Sequence, residues 1–219
     1  ILYLPKDIVS GDFFWHSDHN NVQYIAAADC TGHGVPGAFM SIVGNNLLNE
    51  IINQRNISEP GSILLELHKG VKEALNQNNN EGERRDGRDI ALCAIRKKRG
   101  TIDYSGANRP LWIFRKEKGE LEIIKPNKFP IGGLEFEESR EYINHTVEVN
   151  KGDTLYIFSD GFADQFGGPR GKKFMLSNMQ KLLIDNVQQP LEIQKANIAN
   201  AFKDWKQSLE QIDDVLVIG

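Results

Sequence analysis

The sequence predicts an α+β fold made largely of antiparallel strands. Three observations carry this. The middle of the chain holds short apolar runs separated by turn-forming residues, which is the spacing of hairpins. Two other regions show helical periodicity, and each holds a pair of helices. The regular strand–helix alternation of a doubly wound sheet is missing. With 219 residues, 40% of them hydrophobic and 26% charged, residues 1–219 read as one domain able to bury a substantial core.

The elements follow in order. Ile1 to Val9 reads as extended, ending at Ser10-Gly11-Asp12, and Asn20-Asn21 is a turn signal. Val22 to Asp29 is nearly all apolar, as expected of a strand buried on both faces, and stops at the glycine-rich Asp29-Cys30-Thr31-Gly32-His33-Gly34. Pro36 suits the first turn of a helix, and Phe39, Ile42, Val43, Leu47, Ile51 and Ile52 continue it to about Gln54. A second helix begins near Pro60 with Ile63, Leu64, Leu67, Val71, Ala74 and Leu75 on one face. Asn76 to Asp89 is polar and reads as a loop. Beyond it the period becomes extended: Ile90–Arg96, Thr101–Ser105, Leu111–Arg115, Leu121–Lys125, Tyr142–Val149 and Thr154–Ser159 are predicted strands. Helices are expected at about Ser177–Asn186 and Leu191–Ser208, and the chain closes on a strand, Val215–Ile218.

Composition excludes several function classes. No apolar run approaches the roughly 18 residues of a membrane span. The apolar content is too high, and the net charge of −4 too small, for a disordered chain. That mildly acidic balance, without a basic stripe, argues against nucleic-acid binding. The two cysteines, Cys30 and Cys93, show neither a disulfide framework nor zinc-ligand spacing, so reduced thiols in a cytoplasmic domain are expected. No signal sequence is visible, and the start at Ile1 suggests a domain cut from a longer protein.

Where the aspartates fall is more informative than their number. Asp29 and Asp160 each end an apolar run, Asp213 stands just before another, and Asp12 follows Gly11. A strand end holds a carboxylate rigidly while leaving it access to solvent. Several carboxylates brought together need a counter-charge, and all-oxygen ligands favour a hard divalent ion such as Mg²⁺ or Mn²⁺. Each aspartate taken alone also reads as a turn residue, and periodicity does not show that they converge. Gly32, Gly34 and Gly37 read either as a flexible turn before a helix or as a place of close backbone approach to a metal or phosphate. The string is neither a P-loop nor a dinucleotide fingerprint. His33 could be a proton donor, a substrate contact or a solvated loop residue. His16, His19, His68 and His145 lack ligand spacing, and Ser10 and Ser159 lack the context of an activated serine.

Taken together, Ser10-Gly11-Asp12-Phe13-Phe14, Asp29-Cys30-Thr31-Gly32-His33-Gly34-Val35-Pro36-Gly37-Ala38, Phe158-Ser159-Asp160-Gly161 and Asp213-Asp214-Val215 resemble the SpoIIE/RsbU-type bacterial serine phosphatases of the PP2C (PPM) superfamily. The resemblance spans essentially the whole chain. It implies a four-layer αββα sandwich of two antiparallel sheets flanked by helix pairs, with two Mn²⁺ or Mg²⁺ ions, and a third in some relatives, at one end. In that resemblance Asp29 matches the carboxylate that bridges both ions and the Cys30 main-chain carbonyl the next ligand. Asp160 and Asp213 match further ligands of the first ion, and Asp12 matches a ligand of the second. Asp164 resembles an auxiliary position for a third ion, with Asp86 or Asp89 as its partner. Gly32, His33, Gly34 and Asp214 are substrate-loop candidates. His33 is often Lys in this branch, and Asp214 stands where many eukaryotic relatives have Asn. The early phosphate-binding Arg of the eukaryotic enzymes is absent, which leaves phosphate contact to ions, water and backbone.

The resemblance further implies hydrolysis of phosphoserine or phosphothreonine on a protein by direct attack of an ion-bridging water, without a phosphoenzyme. The expected substrate is an anti-sigma-factor antagonist or a similar small regulator. A sensor or signalling module is expected N-terminal to the domain, with a homodimer among the candidate assemblies. Movement of the helix pair Val35–Gln77 is the expected route of regulation. Two competing readings remain: a catalytically silent partner-binding module of the same fold, and a two-metal nuclease, which the acidic balance disfavours.

Overall fold

The computed structural model describes residues 1–30, 32, 34–75, 87–133 and 140–219. Two five-stranded antiparallel sheets form its centre. The first, in the order β1-β12-β9-β6-β7, uses β1 (Leu2–Leu4), β6 (Leu111–Arg115), β7 (Glu120–Ile124), β9 (Thr154–Phe158) and β12 (Val215–Ile218). The second, in the order β2-β3-β4-β5-β8, uses β2 (Phe13–His19), β3 (Val22–Cys30), β4 (Arg88–Arg96), β5 (Thr101–Ala107) and β8 (His145–Glu148). Helices α1 (Gly34–Leu48) and α2 (Pro60–Ala74) cover the second sheet, and α4 (Leu176–Asn186) and α5 (Leu191–Lys206) cover the first. A one-turn α3 (Gly161–Asp164) and a two-residue hairpin of β10 (Phe166–Gly167) and β11 (Lys172–Lys173) complete the chain.

The near-continuous apolar strands form because each is buried on both faces, and successive side chains point to opposite faces. On β3, Tyr24, Ala26 and Ala28 pack under α1 and α2, while Ile25 and Ala27 face the other sheet. On β9, Tyr156 and Phe158 face α4 and α5, while Leu155 and Ile157 face inward; on β12, Val215 and Val217 face the helices, Leu216 and Ile218 the sheets. Three apolar layers result, one under each helix pair and one between the sheets, which is the expected αββα sandwich. Trp112 of β6 is 1% exposed and meets Phe158 edge-on at 4.4 Å between ring centroids. Trp112→Ala is therefore expected to cost about 3–5 kcal/mol of stability, measured by denaturant unfolding.

Several boundaries differ from the sequence reading. Strand β1 covers only Leu2–Leu4 of the extended segment, and β2 was not anticipated, because Gly11-Asp12 reads as a turn and masks the alternation of Phe13 and Trp15. Asn20 and Asn21, at φ 50° and 62°, close the β2–β3 hairpin as a two-residue turn with both residues left-handed. The first helix changes to a π-helical turn at Asn49–Gln54, marked by the bond from the Arg55 N–H to the Glu50 carbonyl. Its buried face is Gly37, Met40, Gly44 and Leu48, leaving Phe39 and Ile42 exposed. A Cβ on Gly44 would lie 2.9 Å from the Phe13 ring, so small residues let α1 settle onto the sheet. Arg88 and Asp89 belong to β4 rather than to the polar loop, and residues 76–86 of that loop lie outside the described residues. The Tyr142–Val149 run forms a strand only over His145–Glu148. Among the described residues, no helix is long and apolar enough to cross a membrane.

Candidate active site

The side-chain alternation that builds the inter-sheet layer also builds the site. Asp29 continues the Ile25–Ala27 face of β3, and Asp89, its direct partner across the β3–β4 ladder, continues the Ala91–Cys93 face of β4. Arg109 stands two residues ahead of Leu111, which lies in the same inter-sheet layer. At this end of the sandwich the apolar layer gives way to a cavity of about 390 Å³, to which Asp29, Asp89, Arg109, Asp160 and Asp213 contribute, with Cys30, Gly32 and Asn108 on its wall. Asp160 follows β9, and Asp213 precedes β12, which pairs with β9. Both sheets thus deliver carboxylates to one place.

Arg109 was not anticipated. Its Nη2 lies 3.0 Å from Asp29 Oδ2, 2.9 Å from Asp89 Oδ2 and 2.6 Å from Asp160 Oδ2. Its main-chain carbonyl accepts a 2.5 Å hydrogen bond from the Tyr104 hydroxyl, and Asn108 Nδ2 donates to Asp89 Oδ1 at 2.8 Å. Burial disfavours the guanidinium charge, but the three carboxylates outweigh it and hold Arg109 firmly protonated. A basic side chain thus lines this cavity, which the sequence reading did not include.

Asp12 sits behind Asp29, 3% exposed, and its Oδ2 has no hydrogen-bond partner among the described residues. Burial, then the charge of Asp29, pushes the Asp12 carboxyl up to about 9. Burial likewise pushes Asp29 up to about 7, opposed by Arg109 and assisted by Asp160, Asp89 and Asp213. Asp213 is also raised, chiefly by burial. Asp12 and Asp29 titrate as a pair that resists carrying two negative charges.

Asp214 does not line the cavity. Its Oδ1 accepts the Lys6 N–H and its Oδ2 the Gly11 N–H, both at 2.8 Å, which ties the residue before Asp12 to the residue before β12. A Cβ on Gly11 would lie 2.4 Å from the Gly32 carbonyl, and one on Gly37 would lie 2.2 Å from it. Glycines at 11 and 37 thus let the Asp12 segment, the Asp29–Gly32 loop and α1 close on one another. Asp214→Asn leaves one acceptor oxygen for two N–H groups, that of Gly11 being buried. It is expected to cost about 1–3 kcal/mol in thermal or chemical unfolding and to weaken ion binding through a looser Asp12.

The other candidates are dispersed. Asp164 points to solvent and pairs with Lys173 at 2.9 Å. Gly34 opens α1 at φ 69°, near the Asp7 side chain. His33 and Asp86 lie outside the described residues. The Cys30 thiol is buried, which pushes it up to about 12, so it is no thiolate nucleophile.

The donor set fits a hard divalent ion. It is all carboxylate and carbonyl oxygen, it holds a buried oxygen without a partner on Asp12, and its acids resist ionising together. As the side chains stand, with Arg109 between them, no three acidic, His or Cys groups among the described residues are gathered to hold one ion.

This architecture is that of the PP2C-type phosphatase domains. The SiaA-PP2C domain of Pseudomonas aeruginosa superposes with a TM-score of 0.87 at 27% identity, over 99% of this chain and 82% of that one. The PP2C domain of SpoIIE from Bacillus subtilis, solved with a fragment of its regulatory domain, gives 0.69 at 19% identity, over 98% and 58%. An S. agalactiae serine/threonine phosphatase gives 0.68 at 17%, over 99% and 96%. A sequence comparison with curated proteins finds no match. The profile of the family described as Stage II sporulation protein E (SpoIIE) matches residues 20–219. The chain belongs to the SpoIIE family.

Proposed function

We propose that this chain is an Mn²⁺- or Mg²⁺-dependent protein serine/threonine phosphatase. The observation that carries the reading is the convergence of Asp29, Asp160 and Asp213 on one open cavity, backed by buried Asp12, with one guanidinium as counter-charge. Asp12, Asp29, Asp160, Asp213 and the Cys30 carbonyl would hold the ions. When bound, such ions supply an activated water and neutralise charge on the phosphoryl oxygens. The chain itself positions the carboxylates from both sheets, fixes Asp12 through Asp214, and keeps the site acidic and open. The Cys30 thiol is held protonated and is no nucleophile, and direct attack by water without a phosphoenzyme is the reading that the family resemblance supports. The substrate would be phosphoserine or phosphothreonine on a small regulator such as an anti-sigma-factor antagonist, with an N-terminal sensor module supplying control.

The pairing of Arg109 with three of the carboxylates favours one second reading, a silent partner-binding module. Phosphate release from phosphoserine and phosphothreonine peptides, in chelator and in excess Mn²⁺, separates the two. The enzyme releases phosphate only with the ion; a silent module releases none in either.

A further inference from the structure

We propose that Arg109 is the phosphate-recognising side chain of this cavity, and that it is freed for that role when divalent ions take over the carboxylates it now holds. The assignment rests on the phosphatase reading above for the identity of the ligand, and on geometry for the residue. A phosphomonoester is a dianion, and a cavity walled by Asp29, Asp89, Asp160 and Asp213 repels it. Arg109 is the one basic side chain that lines the cavity among the described residues.

Its present contacts suit displacement. A single nitrogen, Nη2, faces three carboxylate oxygens between 2.6 and 3.0 Å. That nitrogen has two hydrogens, so one of the three contacts is charge attraction without a hydrogen bond. The Nε is buried with no hydrogen-bond partner among the described residues. The guanidinium thus neutralises the acids while leaving part of its donor fork unused, and a phosphoryl group accepts that fork bidentately. The backbone is a fixed pivot: the Arg109 carbonyl is held by the Tyr104 hydroxyl, and the long side chain extends from it to the carboxylates. Once divalent cations sit on Asp29 and Asp160, the guanidinium is repelled from its former partners, and the phosphoryl oxygens are the anion within reach.

The test uses two binding measurements on the intact chain, neither of which reads turnover. Mn²⁺ is titrated calorimetrically into the ion-free wild type, Arg109→Ala and Arg109→Lys in mildly alkaline buffer. Inorganic phosphate is then titrated into the Mn²⁺-loaded forms. Arg109→Ala should bind Mn²⁺ about tenfold or more tightly than wild type, because the ion no longer displaces a competing cation. It should bind phosphate about tenfold to a hundredfold more weakly, with Arg109→Lys recovering part of the loss. Should the alanine variant fail to fold, Arg109→Gln carries the same two expectations. Unchanged or weakened Mn²⁺ binding, or phosphate binding that survives the substitution, overturns the proposal. Both shifts in a protein that shows no ion-dependent turnover would refute the phosphatase reading and leave the Arg109 assignment standing.

Discussion

Asp29→Asn is expected to lower hydrolysis of a phosphoserine peptide by at least about a hundredfold without destabilising the fold. Asp29 is the hub of the carboxylate cluster: it pairs with Arg109 at 3.0 Å, stands opposite Asp89 across the ladder, and raises the Asp12 carboxyl by its charge. An amide of the same shape keeps the packing but lacks the negative charge that would hold a divalent ion. Burial already pushes the Asp29 carboxyl up to about 7, so the ion-free fold tolerates the neutral form. Activity and stability therefore separate. The peptide assay should show the loss while urea unfolding of the ion-free variant matches or exceeds wild type. Full activity in Asp29→Asn would remove Asp29 from the proposed chemistry.

The second large effect concerns pH. Asp12 and Asp29 are raised to about 9 and about 7, far above the ordinary carboxylate value. Over that range the folded chain holds protons that the unfolded chain has released, so stability falls as pH rises. The loss begins above about pH 4, where unfolded carboxylates ionise, and is complete once the folded pair has ionised. Saturating Mn²⁺ should reverse the trend, because ions bind the ionised acids and their stabilisation grows as protons leave. Melting temperatures of the ion-free and Mn²⁺-loaded protein across that range check both limbs. A flat or rising ion-free profile would mean that these acids are not strained by burial.

Much of the fold was legible because the strands are buried on both faces and bounded by turns. Val22–Asp29 and Thr154–Ser159 stand out for that reason, and the aspartates ending them are visible as interruptions. Strand β2 was hidden because Gly11 serves close packing against the Gly32 carbonyl rather than only a turn. Arg109 was hidden for a different reason. In Asn108-Arg109-Pro110 it looks like a surface turn residue, and only the packing of β6 against β3 and β4 across the sandwich turns it toward Asp29. The one available signal was its parity with Leu111 and Ile113, the inward face of β6. The sequence also did not show what Asp214 does, and the resemblance offered it only as a substrate-loop candidate beside the ion ligand Asp213. One lines the cavity and the other holds two backbone N–H groups 203 and 208 residues away in the chain, a division set by long-range contacts.

The proposed function requires that water, rather than a protein side chain, attack the phosphoserine or phosphothreonine ester at this carboxylate cluster. Single-turnover hydrolysis of a phosphoserine peptide by the Mn²⁺-loaded chain in ¹⁸O-labelled water tests it. The released phosphate should carry one solvent oxygen, with no phosphorylated protein trapped at any time and no release in chelator. Release without Mn²⁺, a trapped phosphoprotein, or no release at saturating ion would contradict the account.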